Sequence, residues 1–360
     1  MKIAVILGTR PEIIKLEPVI HQLQKEKINF FIIHTKQHYS SLMDQILIEE
    51  LLINKPKYDL AVGSGNHGAQ TGKMLGSIEE ILLREKSDIV LVQGDTNTTL
   101  GAALAAAKIA KIKIAHIEAG LRSFDRTMPE EINRVIADHL SDLLFVPTKL
   151  EKTILIKEGI DKKKIFITGN TISDAVRFNF KKAIKKSKIL KKLGLIPKKF
   201  FVVTLHRASN VDDPKKLKKA LSILNKISMF YQVSVVFPVH PRTKKIIEKN
   251  KIKIPKSFLL TDPLSFFDFL ILESSSKLIF TDSGGVQEEA LILKVPCLTI
   301  RENTERPQTI KAGANMLVDL NYREISMAIN KILNKKINYK NPFGINVAKK
   351  IVTILKKNYK

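Results

Sequence analysis

The chain has 360 residues, 44% of them hydrophobic, enough for two packed cores and incompatible with a disordered or fibrous chain. A single cysteine, Cys297, excludes a disulfide framework and points to a reducing, cytoplasmic setting; no apolar stretch reaches the 18 residues that a membrane span needs. The formal net charge of +26 is uneven, with 24 Lys+Arg against 22 Asp+Glu in residues 1–180 and 37 against 13 in residues 181–360; with no Trp and 6% aromatics, this excess reads as a solvated lysine surface, not a nucleic-acid site.

The N-terminal run "IAVIL" is short and runs into Gly-Thr-Arg-Pro-Glu, so a first strand is expected there and not a secretory leader. Further strands are expected at "NFFIIH", "DIVLVQ", "IKIAHI", "DLLFVP" and "KIFIT", then at "FFVVTL", "VSVVFPV", "SFLL", "KLIFT", "VPCLTI" and "NMLVDL". Helical patterns such as Pro11–Glu26, Asn97–Ala110, Pro214–Phe230 and Val286–Leu293 separate them. Continuous apolar strands alternating with helices predict an α/β fold with parallel sheets covered on both faces. The pattern restarts after a Lys-rich stretch and Pro197. Two Rossmann-like domains are therefore expected, over 1–175 and 200–340, with 176–199 as a linker region. Residues 341–360 should form a C-terminal helix that packs back on the N-terminal domain.

Ligands in such sheets sit beyond the carboxyl ends of the strands. Polar residues stand there repeatedly: Gly8-Thr9-Arg10, Gly94-Asp95-Thr96, Glu118-Ala119-Gly120, His206-Arg207, His240-Pro241-Arg242 and Asp282-Ser283-Gly284-Gly285. Facing sheets would bring them to one cleft. "GSGNHG" at 63–68 fits the letter of a dinucleotide motif, but the apolar run before it is only "DLAV", and Asp88 begins a strand instead of ending one. It reads as a glycine-rich loop without a cofactor.

In "ILGTRPEIIK", Arg10 and Lys15 lie at the start of a helix and suit an anion. In "IFTDSGGVQEEA", Ser283, Gly284 and Gly285 open a helix whose free N–H groups can take phosphate. Glu289 one turn on suits ribose hydroxyls, and Arg306 in "ERP" suits a diphosphate. His206 in "TLHR" is placed for a ligand, while His240 in "VHPR" is open between a ligand and a structural role. No H-E-x-x-H, cysteine cluster or nucleophile elbow is present, so no metal or cofactor is expected. "HIEAGLRSFDRTMPEEINR" gathers carboxylates and guanidiniums at a strand end and a helix start. Alone it fits a reaction site or an ordinary charged helix start.

Together, "GTRPEIIK", "VQGDTNTT", "HIEAGLRS", "MPEEINR", "FITGNT", "TLHR", "TDSGGVQEEA" and "RENTERP" make the chain resemble the non-hydrolysing UDP-N-acetylglucosamine 2-epimerase family over nearly its whole length. The resemblance implies two Rossmann-like domains facing across a cleft, as in GT-B glycosyltransferases, and interconversion of UDP-N-acetylglucosamine and UDP-N-acetylmannosamine without metal or nicotinamide. It implies Asp95, Glu118 and Glu130 as catalytic carboxylates with His206 beside them. Arg10, Lys15 and His206 would contact substrate or its diphosphate, Phe269 the uracil, and Ser283, Gly284, Gly285, Glu289 and Arg306 the rest of UDP. Gln37, Gln70, Arg207 and His240 are candidate regulatory positions. Ser40 and Ala69 replace side chains that bind an activating second substrate in bacterial relatives. The implied partners are a UDP-sugar and a second copy of the chain, with neither nucleic acid nor membrane.

The chemistry fits those residue types. C2 of the sugar has no neighbouring carbonyl to acidify its hydrogen. Breaking the C1–O bond first lets UDP leave and positive charge grow on the ring, and a base can then take the C2 proton. That route needs a diphosphate clamp and carboxylates near the ring. A related UDP-2-acetamido sugar (a 2,3-diacetamido sugar or its uronate), a glycosyltransferase of the same fold, a hydrolysing epimerase and a nucleic-acid binder are the competing readings.

Overall fold

The computed structural model describes residues 1–37, 41–335 and 338–359, with the side chains of 41–45 excepted. The chain forms two units, Met1–Ala175 with Phe343–Lys360, and Val176–Pro342.

Unit 1 contains strands β1 (Lys2–Leu7), β2 (Asn29–His34), β3 (Tyr58–Asp59), β4 (Ile89–Gln93), β5 (Lys113–Ile117), β6 (Leu143–Val146) and β7 (Ile165–Ile167). They form one parallel sheet in the order β3-β2-β1-β4-β5-β6-β7. Its helices are α1 (Arg10–Lys25), α2 (Ser41–Glu50), α3 (His67–Glu85), α4 (Asn97–Ala107), α5 (Pro129–Leu140), α6 (Lys149–Lys157) and α7 (Ile172–Lys186), the last of which carries the chain into unit 2. Ile3 to Leu7 and all of β4 are buried, as strands covered on both faces require. On one face the alanines of α4 lie against α3. Gly101 is part of that fit, because a Cβ there would stand 3.0 Å from the Met74 Cβ.

Unit 2 contains α8 (Ile189–Lys192), β8 (Phe200–Thr204), α9 (Ala208–Val211), α10 (Pro214–Tyr231), β9 (Ser234–Pro238), α11 (Pro241–Lys249), β10 (Phe258–Thr261), α12 (Phe266–Ser275), β11 (Leu278–Thr281), α13 (Gly284–Ile292), β12 (Cys297–Ile300), α14 (Pro307–Lys311), β13 (Asn315–Val318) and α15 (Tyr322–Leu333). Its parallel sheet runs β10-β9-β8-β11-β12-β13. Helix α10 shows how sequence makes an element here. Asp213 accepts a hydrogen bond from Lys215 N, Pro214 takes the first turn, and Leu217, Leu221, Leu224 and Ile227 form its buried stripe. Each expected apolar strand has its counterpart. The two-residue β3 was not expected; it pairs with β2 at Ile33 and His34. The segment read as a linker, 176–199, is packed: it continues α7, contains α8 with Ile189 buried, and lays Leu190, Leu193 and Leu195 on the unit 2 core.

The last helix, α16 (Val347–Asn358), belongs to unit 1 and packs on α1 with Val347, Ile351, Val352 and Leu355 buried. Its approach is tightly specified. Phe343 is fully buried and its carbonyl accepts from Asn170 N at 2.9 Å. Ser173 Oγ donates to the Gly344 carbonyl at 2.7 Å, and Ala348 N donates to Asp174 Oδ2 at 2.9 Å. Gly169, with φ +100°, makes room: a Cβ there would lie 2.2 Å from the Phe343 oxygen. Among the described residues no helix is long and apolar enough to cross a membrane.

Candidate active site

The order of the unit 1 sheet reverses between β1 and β4, and ligands of doubly wound sheets bind at such a point. The turn after β1 sits on the Thr35–Thr98 hydroxyl pair, bonded at 2.8 Å; a Cβ on Gly8 would come 2.0 Å from Thr35 Oγ1. Glu12 anchors this turn from below. Its carboxylate accepts from Gly8 N and Thr9 N, both at 2.8 Å, and from Thr96 Oγ1 at 2.5 Å, which ties the β1 turn to the β4 turn. Burial raises the Glu12 pKa against those hydrogen bonds. Arg10 opens α1 and is half-buried.

Glu118 sits just past β5, buried, with φ +71°. The left-handed region costs a non-glycine residue on the order of 1–2 kcal/mol, and such strain gathers where a side chain must be aimed. The carboxylate is gripped from three elements. Lys15 Nζ donates to both oxygens at 2.7 and 2.9 Å, Asn170 Nδ2 donates at 3.1 Å, and Gln93 Nε2 donates as well. Lys15, expected to contact the substrate or its diphosphate, bonds Glu118 here.

Asp95 is half-buried after β4. Its carboxylate pairs with Arg134 Nη2, and its carbonyl accepts from Asn133 Nδ2 at 3.0 Å. The other arm of Arg134 pairs with Glu131. Glu131 also accepts from Ser123 N at 2.9 Å, Ser123 Oγ at 2.8 Å and Phe124 N at 3.0 Å, so it anchors the loop before α5. Burial works to raise the Glu131 pKa, but the Ser123 hydrogen bonds and the Arg134 charge outweigh it and the pKa is lowered. The adjacent Glu130 is exposed in the first turn of α5 and makes no side-chain bond among the described residues. Of the two carboxylates in "PEE", one is structural and the other is available. Arg122 pairs with Asp138 at 2.7 Å and Glu158 at 2.6 Å.

Gln37 and Gln70 are engaged in packing. Gln37 Oε1 accepts from Thr98 N at 3.1 Å and Thr98 Oγ1 at 2.9 Å. Gln70 donates to the carbonyls of Gln37 and Gly63 and accepts from Asn97 Nδ2 at 2.7 Å. Ser40 lies outside the described residues.

In unit 2 the reversal lies between β8 and β11. Asp282, fully buried, latches the two strand ends together by accepting from His206 N at 3.1 Å, Arg207 N at 3.0 Å and Asn210 Nδ2 at 3.1 Å. The half-exposed His206 ring lies 5.4 Å from the His240 ring, and His240 accepts from Arg242 N to cap α11. Ser283, Gly284 and Gly285 form the start of α13, which the Ser283 side chain does not close. A Cβ on Gly284 would meet Glu305 Oε1 at 2.7 Å.

Around this turn Glu305 pairs with Arg207 at 3.1 Å and Arg301 at 2.8 Å, while Arg306 pairs with Glu288 at 2.7 Å. Burial alone would raise the Glu305 pKa, yet Arg306, Arg207 and Arg301 together hold it far below the carboxylate range. These guanidiniums stand beside the N–H groups at the start of α13, a combination that suits an anion. Phe269 is half-buried on α12 against the core of this unit.

Glu289, on the inner face of α13, is buried and faces Glu273 of α12 within hydrogen-bonding range. Burial and then the Glu289 charge raise the Glu273 pKa well above its ordinary value. Such a group supports folding fully below the ordinary carboxylate range and loses that support as pH rises through its folded value. Glu273→Gln should therefore unfold at a higher temperature than wild type at pH 9, with the gap closing near pH 4. Melting curves that stay parallel over this range would refute the raised Glu273 pKa.

A family model described as UDP-N-acetylglucosamine 2-epimerase matches residues 21–356. The chain is similar to the UDP-N-acetylglucosamine 2-epimerase of Methanocaldococcus jannaschii, with 53% identity over 96% of this chain and 95% of that protein. It is 51% identical to the enzyme of the same name from Methanococcus maripaludis, over 98% and 97% of the two chains. A crystal structure of the M. jannaschii enzyme in complex with UDP-GlcNAc and UDP matches with a TM-score of 0.93 and 52% identity, covering 99% of this chain and all of that one.

Proposed function

The chain belongs to the UDP-N-acetylglucosamine 2-epimerase family, and from this we propose that it interconverts UDP-N-acetylglucosamine and UDP-N-acetylmannosamine by elimination and re-addition of UDP. The observation that carries the proposal is Glu118: a buried, conformationally strained carboxylate at a strand end, fixed by Lys15, Gln93 and Asn170. Such a preset charge suits a reaction in which positive charge grows on a sugar ring.

The roles are those that the family resemblance implies. Ser283, Gly284, Gly285 and Arg306 take the diphosphate, Glu289 the ribose and Phe269 the uracil. Arg10 and His206 add charge at the leaving phosphate. The C1–O bond breaks with its electron pair on UDP. A carboxylate removes the C2 proton and the glycal forms. A proton returns to C2 from the opposite face, and UDP re-forms the bond at C1. Glu130 is assigned to the proton transfer because its carboxylate is free; Glu118 and Asp95, held by cations, stabilise the ring charge. Neither nicotinamide nor metal enters this sequence. A homodimer in the cytoplasm completes the proposal, and light scattering on the purified protein tests the dimer.

The reaction is tested by incubating the protein with UDP-N-acetylglucosamine alone in heavy water. The expected result is a mixture of two UDP-sugars with deuterium at C2 of the product. Free N-acetylmannosamine would identify a hydrolysing enzyme, an inert donor would favour a transferase, and product that keeps its original C2 hydrogen would eliminate this mechanism.

A further inference from the structure

His116 lies on β5, two residues before Glu118, and is fully buried. Its Nδ1 is 2.8 Å from Asp138 Oδ1 on α5, and its Nε2 is 2.8 Å from the carbonyl oxygen of Gly94, just after β4. Both partners are acceptors. A neutral imidazole has one N–H and one lone pair, so it would set that lone pair against an oxygen at one of these contacts. A doubly protonated ring donates to both.

Both contacts of the ring are themselves held in place. Asp138 Oδ2 accepts from Arg122 Nη1 at 2.7 Å and from Gly120 N at 3.1 Å. Arg122 is held in turn by Glu158, with Nε at 2.9 Å and Nη2 at 2.6 Å. Burial would raise the Asp138 pKa, but the His116 hydrogen bond and the charges of His116 and Arg122 bring it below its ordinary value. Asp138 is the charged group facing the ring, with Arg122 and Glu158 behind it. On the other side of the ring Gly94 is held twice, since its own N–H donates to the Ile117 carbonyl at 3.1 Å. Its φ of +79° marks a turn that glycine adopts readily.

We propose that His116 is a positioning residue for the epimerisation: set between Asp138 and the Gly94 carbonyl, it fixes the turn bearing Asp95 in register with Glu118 on its own strand. This inference rests on the function proposed above.

Steady-state kinetics on two variants test the placement; Asp138→Asn keeps the shape of the side chain that faces the ring and removes its charge. For turnover, His116→Gln and Asp138→Asn should each lower kcat by up to about 10²-fold with little change in KM, as expected when a reacting group is displaced without loss of binding contacts. A folded His116→Gln or Asp138→Asn with wild-type kcat would overturn the positioning role. If His116→Gln does not fold, Asp138→Asn still decides. Failure of the functional reading itself would be seen first, as no epimerisation by wild type.

Discussion

Glu118→Gln is expected to lower turnover by about 10²–10³-fold while leaving UDP binding intact, because a preorganised charge aimed at a reacting centre is typically worth that much. The same substitution should also destabilise unit 1. Glu118 is the buried partner of Lys15, whose side chain is 6% exposed, and the amide removes the negative charge that Glu118 sets against that ammonium. Breaking one side of a buried pair costs about 3–5 kcal/mol. Glu130→Gln, at an exposed position with no such partner, should lose about 10²–10⁴-fold in rate as a general acid–base group and keep wild-type stability. The contrast is the test. Turnover near wild type in a folded Glu118→Gln would remove that residue from the mechanism, and equal melting temperatures for both variants would contradict the Lys15 pairing.

Gly169→Ala is expected to damage the fold more than any exposed substitution. The added Cβ would sit 2.2 Å from the Phe343 carbonyl oxygen and 2.8 Å from Val347 Cγ2, at a φ of +100° that alanine rarely adopts. Left-handed backbone costs roughly 1–2 kcal/mol and overpacking roughly 1–3, so a loss of about 2–5 kcal/mol is expected. The strain should express itself locally, as release of Phe343 and the α16 segment from unit 1. Hydrogen exchange over residues 343–358 would report it before global unfolding does. Protection unchanged there, with a melting temperature shifted by less than about 2 °C, would show that the contact can relax.

The strands were legible because each is a near-continuous apolar run, and strand ends in parallel sheets announce the site. Beyond that the sequence falls silent for identifiable reasons. The edge strand β3 has two residues and carries no pattern of its own. "PEE" gives no means of telling Glu130 from Glu131. Only the turn of α5 that buries Glu131 against Ser123 and Arg134 separates the anchor from the free carboxylate. The bond between Lys15 and Glu118 was not legible, because the two residues lie 103 positions apart. Asp138 belongs to none of the recognisable motifs, yet it holds His116 and Arg122 together. Asp282 was read as a strand end; its work as a latch for the His206 loop depends on the neighbouring strand.

The return of the chain to unit 1 at Phe343 has a consequence for biosynthesis. A ribosome delivers residues in order, so the face of α1 that α16 covers stays bare while all of unit 2 is being made. At roughly 5–20 residues per second this lasts on the order of ten seconds or more, long enough for unit 2 to fold first although it is translated second. Nascent chains stalled before residue 343 should therefore carry a loose N-terminal unit, and a premature stop in the final helix should expose the beginning of the protein to proteases or chaperones before it exposes the middle.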